Sequence, residues 1–122
     1  MFKEVLHNAI SNVEGALGAM VMGMDGIAVE KVWQVETGQA ANLEIAIAEF
    51  TSLLRSARRT NSDLGLGKLR QMTVAAENAV FILHAAGKDY FLALVLSPEG
   101  NFGRGRYEMR RAELLLLDEL II

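Results

Sequence analysis

The sequence has no cysteine and only one proline among its 122 residues. The lack of cysteine excludes a disulfide framework, a zinc ribbon and a thiol nucleophile, and it is typical of a reducing compartment. Apolar runs are too short to cross a bilayer, and the first residues lack the apolar stretch of a signal peptide. The sequence therefore predicts a soluble cytoplasmic protein without membrane insertion.

Motifs for catalysis, metal binding and cofactor binding are also missing. His7 and His84 are the only histidines, and neither stands in a metal-binding spacing. No G-x-S-x-G nucleophile motif occurs. The stretch Gly65-Leu66-Gly67-Lys68 is similar to the end of a phosphate-binding loop, but Ser62 and Leu69 stand where that loop needs glycine and serine or threonine. We therefore expect no enzyme activity, no cofactor and no metal.

Positive charge is scarce and concentrated in one segment. Lysine and arginine total 12 against 15 aspartates and glutamates, so the formal net charge is −3. Nucleic-acid binding requires a broad basic surface, and we expect none here. One segment is nevertheless rich in arginine: Arg104, Arg106, Arg110 and Arg111. These residues could stabilise a phosphoryl group in a partner's active site, but we favour a second interpretation, in which they form the solvated side of an apolar helix.

The remaining composition predicts one folded domain over residues 1–122. Hydrophobic residues make up 52% of the chain and charged residues 22%, which is enough to fill a core. Periodicity and turn residues predict elements in the order α-β-β-α-β-β-β-α. The predicted helices cover 2–13, 40–61 and 102–120, and the predicted strands cover 17–22, 27–32, 68–76, 79–85 and 90–96.

The strands differ in how apolar they are. Those at 79–85 and 90–96 are almost continuously apolar, which is typical of strands covered on both faces. Helices should therefore lie on each side of the sheet. The strand at 68–76 is more polar, which favours either an edge strand or a partly solvated dimer interface.

The long helix at 40–61 has two contrasting faces. One is an apolar stripe that predicts its core contacts: Leu43, Ala46, Ile47, Phe50, Leu53, Leu54 and Ala57. The opposite face carries mostly small residues: Ala41, Ile45, Ala48, Ser52 and Arg59. A solvated helix surface would normally carry long charged side chains, so we interpret this second face as a docking surface for another protein.

Two motifs resemble those of the Roadblock/dynein-light-chain family, and within it the MglB-like branch. They are the hairpin GAMVMGMDGI at 18–27 and the segment SPEGNFGRGRY at 97–107. The resemblance covers essentially the whole chain. It implies an α+β sandwich of the Roadblock, profilin-like type, with a five-stranded antiparallel sheet. The long helix would lie on one face of this sheet and the terminal helices on the other.

The resemblance also implies a partner and an assembly. It implies a homodimer in which the long helices lie side by side and the third strands pair edge to edge through Lys68, Arg70, Met72 and Val74. In MglB-like proteins the dimer binds one Ras-like small GTPase of the MglA type and stimulates GTP hydrolysis without supplying an arginine. The positions carried over for this contact are Ala41, Ile45, Ala48, Ser52 and Arg55.

Two other functions stay open at the level of sequence. The same dimer could be a scaffold that localises a GTPase or a motor-like complex without changing its turnover. A small-ligand sensor would need a pocket with convergent polar groups, which the sequence does not indicate. Cell polarity and gliding motility are the processes that the MglB analogy suggests.

Overall fold

The computed structural model describes residues 2–117, which form three helices and five strands in the predicted order. Their bounds are α1 Phe2–Ser11, β1 Ala16–Gly23, β2 Ala28–Trp33, α2 Thr37–Asp63, β3 Gln71–Ala75, β4 Val80–Ala86, β5 Tyr90–Leu96 and α3 Phe102–Leu116. The end of the predicted last helix, at 118–120, lies outside the described residues. Within 2–117 no helix combines the length and the apolar character needed to cross a membrane.

The five strands form one antiparallel sheet in the order β2-β1-β5-β4-β3. A tight turn joins β1 to β2. Gly26 adopts a φ of 87° there, and the Asp25 carboxylate accepts a 3.0 Å hydrogen bond from the backbone N–H of Ile27. This is the turn that the Asp-Gly pair predicts. Strand β5 lies at the centre between β1 and β4, while β2 and β3 form the two edges.

Helices cover both faces of the sheet, and β5 shows why its sequence is apolar throughout. Leu92, Leu94 and Leu96 pack into the core shared with α1 and α3. Phe91, Ala93 and Val95 point the other way and pack into the core beneath α2. Because both faces are buried, the strand shows no alternation between apolar and polar residues. The predicted α+β sandwich, with α2 on one face and the terminal helices on the other, is confirmed.

The segment at 97–107 starts α3 and fits it against the sheet. The side chain of Asn101 caps the helix by accepting a 3.0 Å hydrogen bond from the backbone N–H of Arg104. A Cβ at position 105 would lie 2.9 Å from a Leu94 methyl carbon and 3.2 Å from one of Ile82. Gly105 therefore lets α3 approach the sheet closely.

Helix α2 buries most of the apolar stripe that the sequence predicts, since Ile47 and Leu54 are buried and Leu43, Ala46 and Phe50 pack against the same core. Leu53, also a predicted core residue, is instead 54% exposed. Glu44 explains this orientation. Its carboxylate accepts hydrogen bonds from the indole N–H of Trp33 at 2.8 Å and from the Lys31 ammonium at 2.9 Å, both on β2. These contacts place one flank of α2 beside β2 and leave Leu53 on the opposite flank.

Candidate partner-binding surfaces

The outward face of α2 carries the predicted docking residues. Ala41, Ile45, Ala48 and Ser52 are all exposed, and Ile45 exposes 63% of its surface. At 100° per residue these four positions fall within a narrow sector of the helix, and Ile47 and Leu54 lie well away from it on the buried side. We call these four residues the α2 ridge. Its short side chains leave the helix backbone accessible to a protein that packs on it.

Arg55 lies on the same side of α2 but is already engaged within the protomer. Its guanidinium donates a hydrogen bond to the backbone carbonyl of Met24 in the β1–β2 hairpin, and a second nitrogen lies 3.4 Å from the Ser52 hydroxyl. Arg55 thus connects the α2 ridge to the hairpin. Sequence reasoning places Arg55 on this face but contains no signal for its contact with Met24.

The opposite flank of α2 presents apolar side chains above the β3 edge. Arg55 contacts the β1–β2 hairpin and so marks the β2 side of α2. Leu53 lies about 200° around the helix from Arg55, and therefore on the side of α2 away from β2. Phe50 is half-buried there and packs edge-on against Phe81 of β4, with ring centroids 5.0 Å apart. From β3, Met72 and Val74 are also half-buried and contact the same core. We call Phe50, Leu53, Met72 and Val74 the β3-side strip.

Strand β3 also directs backbone polar groups away from the sheet. The carbonyl of Arg70 accepts a 2.9 Å hydrogen bond from Ala85, and the N–H of Ala76 donates one of 2.9 Å to the carbonyl of Ala79. Along an antiparallel strand, residues that bond to the neighbouring strand alternate with residues whose backbone groups point away from it. Arg70 and Ala76 both bond to the β4 side, so the odd-numbered residues between them direct their N–H and C=O groups outward: Gln71, Thr73 and Ala75. The edge strand that the sequence predicts is therefore present.

Strand β3 is shorter than predicted, and this changes the environment of two of the four residues that are predicted to form a dimer interface. Met72 and Val74 lie within it, but Lys68 and Arg70 precede it and are exposed. Gly67 has a φ of 88°, which turns the chain before it joins the sheet. The polar start of the predicted strand therefore belongs to the loop that follows α2.

The arginine-rich segment lies on α3, on the face of the sheet opposite α2. Arg104 pairs with Glu108 at 2.9 Å, and Arg111 approaches the same carboxylate at 3.5 Å. Glu108 is only 1% exposed, so these two cations compensate a buried negative charge. Arg110 pairs with Glu113 at 2.9 Å. The segment is thus a solvated helix side, as favoured from the sequence, with ion pairs that the sequence did not predict.

The buried histidine joins three elements. The Gln71 side-chain amide nitrogen lies 3.2 Å from His84 Nδ1, and His84 Nε2 lies 2.7 Å from a Glu113 oxygen. Both ring nitrogens of His84 therefore have a hydrogen-bonding partner, one on β3 and one on α3. His84 therefore ties β3 and α3 to β4, which is a structural role.

Comparison with known proteins identifies the fold and the family. The model of the Roadblock/LC7 domain matches residues 2–96, most of the chain. The chain belongs to the Roadblock/LC7 family. Members of this family are generally non-enzymatic adaptors or regulators, and the chain is accordingly a Roadblock-family regulator.

Solved structures agree with this assignment. MglC from Myxococcus xanthus is 32% identical, with a TM-score of 0.72 over 97% of this chain and 98% of MglC. A Roadblock/LC7 domain from Streptomyces avermitilis is 18% identical, with a TM-score of 0.82 over 98% and 97% of the two chains. MglB from Myxococcus xanthus is 10% identical, with a TM-score of 0.82 over 98% and 94%. The last two likenesses concern the fold alone.

Proposed function

We propose that this Roadblock/LC7 chain acts as a homodimer that binds a Ras-like small GTPase of the MglA type and stimulates its GTP hydrolysis. The observation that carries the proposal is the exposed α2 ridge, which leaves a long helix uncovered along a line of small and apolar side chains. The MglB-like motifs in the sequence and the shared fold of MglB support the choice of partner.

The β3 edge supports the dimer. Antiparallel pairing of two β3 strands would give hydrogen-bond partners to the outward groups of Gln71, Thr73 and Ala75. The same two-fold contact would bring each β3-side strip against its copy, because an isologous interface repeats every contact. Leu53, which the protomer leaves 54% exposed, would then become buried.

The α2 ridge supports the contact with the GTPase. Ala48 and Ser52 have short side chains, so a partner helix or strand can approach the α2 backbone closely. Ile45 is 63% exposed and would supply apolar area at the same site. In the proposed dimer the two α2 helices lie side by side, so both ridges face one GTPase.

The placement of three α3 arginines argues against an arginine donated from that helix. Arg104, Arg110 and Arg111 lie on α3, across the sheet from the α2 ridge, and each pairs with a glutamate of its own helix. Arg55 lies beside the ridge, but its guanidinium is bound to the Met24 carbonyl. As the MglB resemblance implies, the proposal is that docking rearranges the catalytic groups of the GTPase itself.

Substitution Ala48→Arg tests the docking surface. A long cation at the centre of the ridge would hold the partner away from the helix and would be desolvated on binding, so Kd should weaken about 100-fold or more. The measurement is calorimetric titration with an MglA-type GTPase loaded with a non-hydrolysable GTP analogue. Asn8→Arg on α1 adds the same charge on the opposite face of the sheet and is the matched control. Equal affinities of Ala48→Arg and the parent would show that the ridge is not the docking site.

A further inference from the structure

A cleft opens between the β1–β2 hairpin and the β4–β5 turn, and the proposed function does not use it. Its volume is about 420 Å³, and its lining includes Met24, Ile27, Val29, Asp25 and Asp89. Two hydrogen bonds connect its walls: Met24 N–H donates to the Asp89 carbonyl at 2.8 Å, and Gly23 N–H donates to the Ile27 carbonyl at 2.9 Å. A partner that binds in this cleft would therefore lose little affinity to the entropy cost of ordering these loops.

The cleft combines exposed apolar side chains with acidic groups. Ile27, beside the hairpin turn, is 66% exposed, although such turns are usually built from polar residues and glycine. Val29 of β2 is 42% exposed. The carboxylates of Asp25 and Asp89 stand among them, and neither forms an ion pair with a residue in the described part of the chain. Such a lining complements a long basic side chain, whose aliphatic stem packs on isoleucine and valine while its charged end meets a carboxylate.

The cleft is continuous with the α2 ridge. Met24, one of its lining residues, receives the hydrogen bond from Arg55 and packs into the core beneath α2. Arg55 in turn lies 3.4 Å from Ser52 of the ridge. A protein seated on the C-terminal half of the ridge would therefore reach the hairpin without leaving the surface of this protomer.

We infer that the cleft is a second anchor for the same GTPase, and that it accepts a lysine or arginine from the surface of that partner. This inference rests on the proposed function, because the occupant is the protein bound by the α2 ridge. The ridge provides a flat surface on which a partner can approach the α2 backbone, whereas the cleft provides a concave surface with two carboxylates. The cleft thus selects among GTPases that could all pack on α2.

Two substitutions in the cleft test the inference. Ile27→Ser removes apolar area that the protomer leaves exposed, and it should weaken Kd for the GTP-analogue form of the MglA-type GTPase about tenfold. Asp89→Asn keeps the side-chain shape and removes the charge. It should weaken Kd about fivefold at low salt and reduce the dependence of Kd on ionic strength. Asp25 is left intact because its carboxylate holds the turn through Ile27.

Matched controls lie away from the cleft. Leu114→Ser removes an exposed leucine from α3, and Glu99→Gln removes an exposed carboxylate from the β5–α3 turn. Both controls should bind as the parent does. Binding of Ile27→Ser and Asp89→Asn at the parent affinity, with Ala48→Arg still impaired, would overturn the cleft inference and leave the ridge in place. Failure of the parent itself to bind the GTPase would overturn the proposed function and the cleft inference with it.

Discussion

Substitution Leu53→Ser should weaken the proposed dimer by an amount that the structure sets. Leu53 exposes 54% of its surface in the protomer. Full burial of a leucine contributes ~1.5–3 kcal/mol, so covering the exposed half contributes about 1 kcal/mol. A two-fold interface counts each residue twice, which gives about 2 kcal/mol per dimer, or about 30-fold in the dissociation constant. Leu53→Glu should weaken the dimer further, because dimer formation would then desolvate a carboxylate.

Sedimentation equilibrium over a range of concentrations measures this dissociation constant directly. The parent should show twice the chain mass at micromolar concentration, and Leu53→Glu should show the mass of a monomer. Leu114→Glu on α3 is the matched control, because Leu114 is also 54% exposed but lies on the opposite face of the sheet. Thermal unfolding should show that the variants remain folded. Unchanged dimer affinity in both Leu53 variants would refute the assignment of the β3-side strip as an interface.

Three further predictions concern the edge strand and the protomer itself. Thr73→Pro removes an outward N–H that the protomer does not use but that pairing of two β3 strands would, so light scattering should show a folded monomer. A dimer of parental affinity would argue against β3 pairing. Gly15→Ala should lower the unfolding free energy by about 2 kcal/mol or more, because φ is +84° and the new Cβ would lie 2.5 Å from Gly100 Cα. Gly26→Ala is the control: its φ is +87° but the space around it is open, so it should lower the unfolding free energy by only about 1 kcal/mol. Equal losses for the two variants in denaturant titration would contradict the clash. Glu108→Ala should lower the unfolding free energy by about 1–3 kcal/mol in the same titration, because it removes the buried acceptor of Arg104. An unchanged unfolding free energy would show that the ion pairs are energetically neutral.

The sequence predicts the order of the elements because local signals carry that information. The apolar run at 90–96 coincides with β5, and the Asp25-Gly26 pair marks the β1–β2 turn. The orientation of α2 depends on long-range contacts instead. Glu44 meets Trp33 and Lys31, which are distant in sequence, and no periodicity encodes this. An apolar helix stripe also does not distinguish a protomer's own core from an interface, which is why Leu53 is misassigned.

The candidate site is predictable to a similar extent. The small residues around Ala48 are exposed as expected, because the larger apolar residues on the other side of α2 pack against the core. The contact of Arg55 with Met24 and the cleft beside it depend on how the hairpin meets the β4–β5 turn, which only the folded sheet defines. One sequence signal could have pointed there: Ile27, an apolar residue placed directly after the Asp-Gly turn.

Single-turnover GTP hydrolysis by an MglA-type GTPase, with and without a saturating amount of this protein, tests directly whether the protein stimulates the GTPase. The parent protein should raise the rate, and Ala48→Arg should leave it at the unstimulated value. An unchanged rate in the presence of a complex that binds tightly would contradict stimulation, and the protein would then be a scaffold that holds the GTPase without altering its turnover.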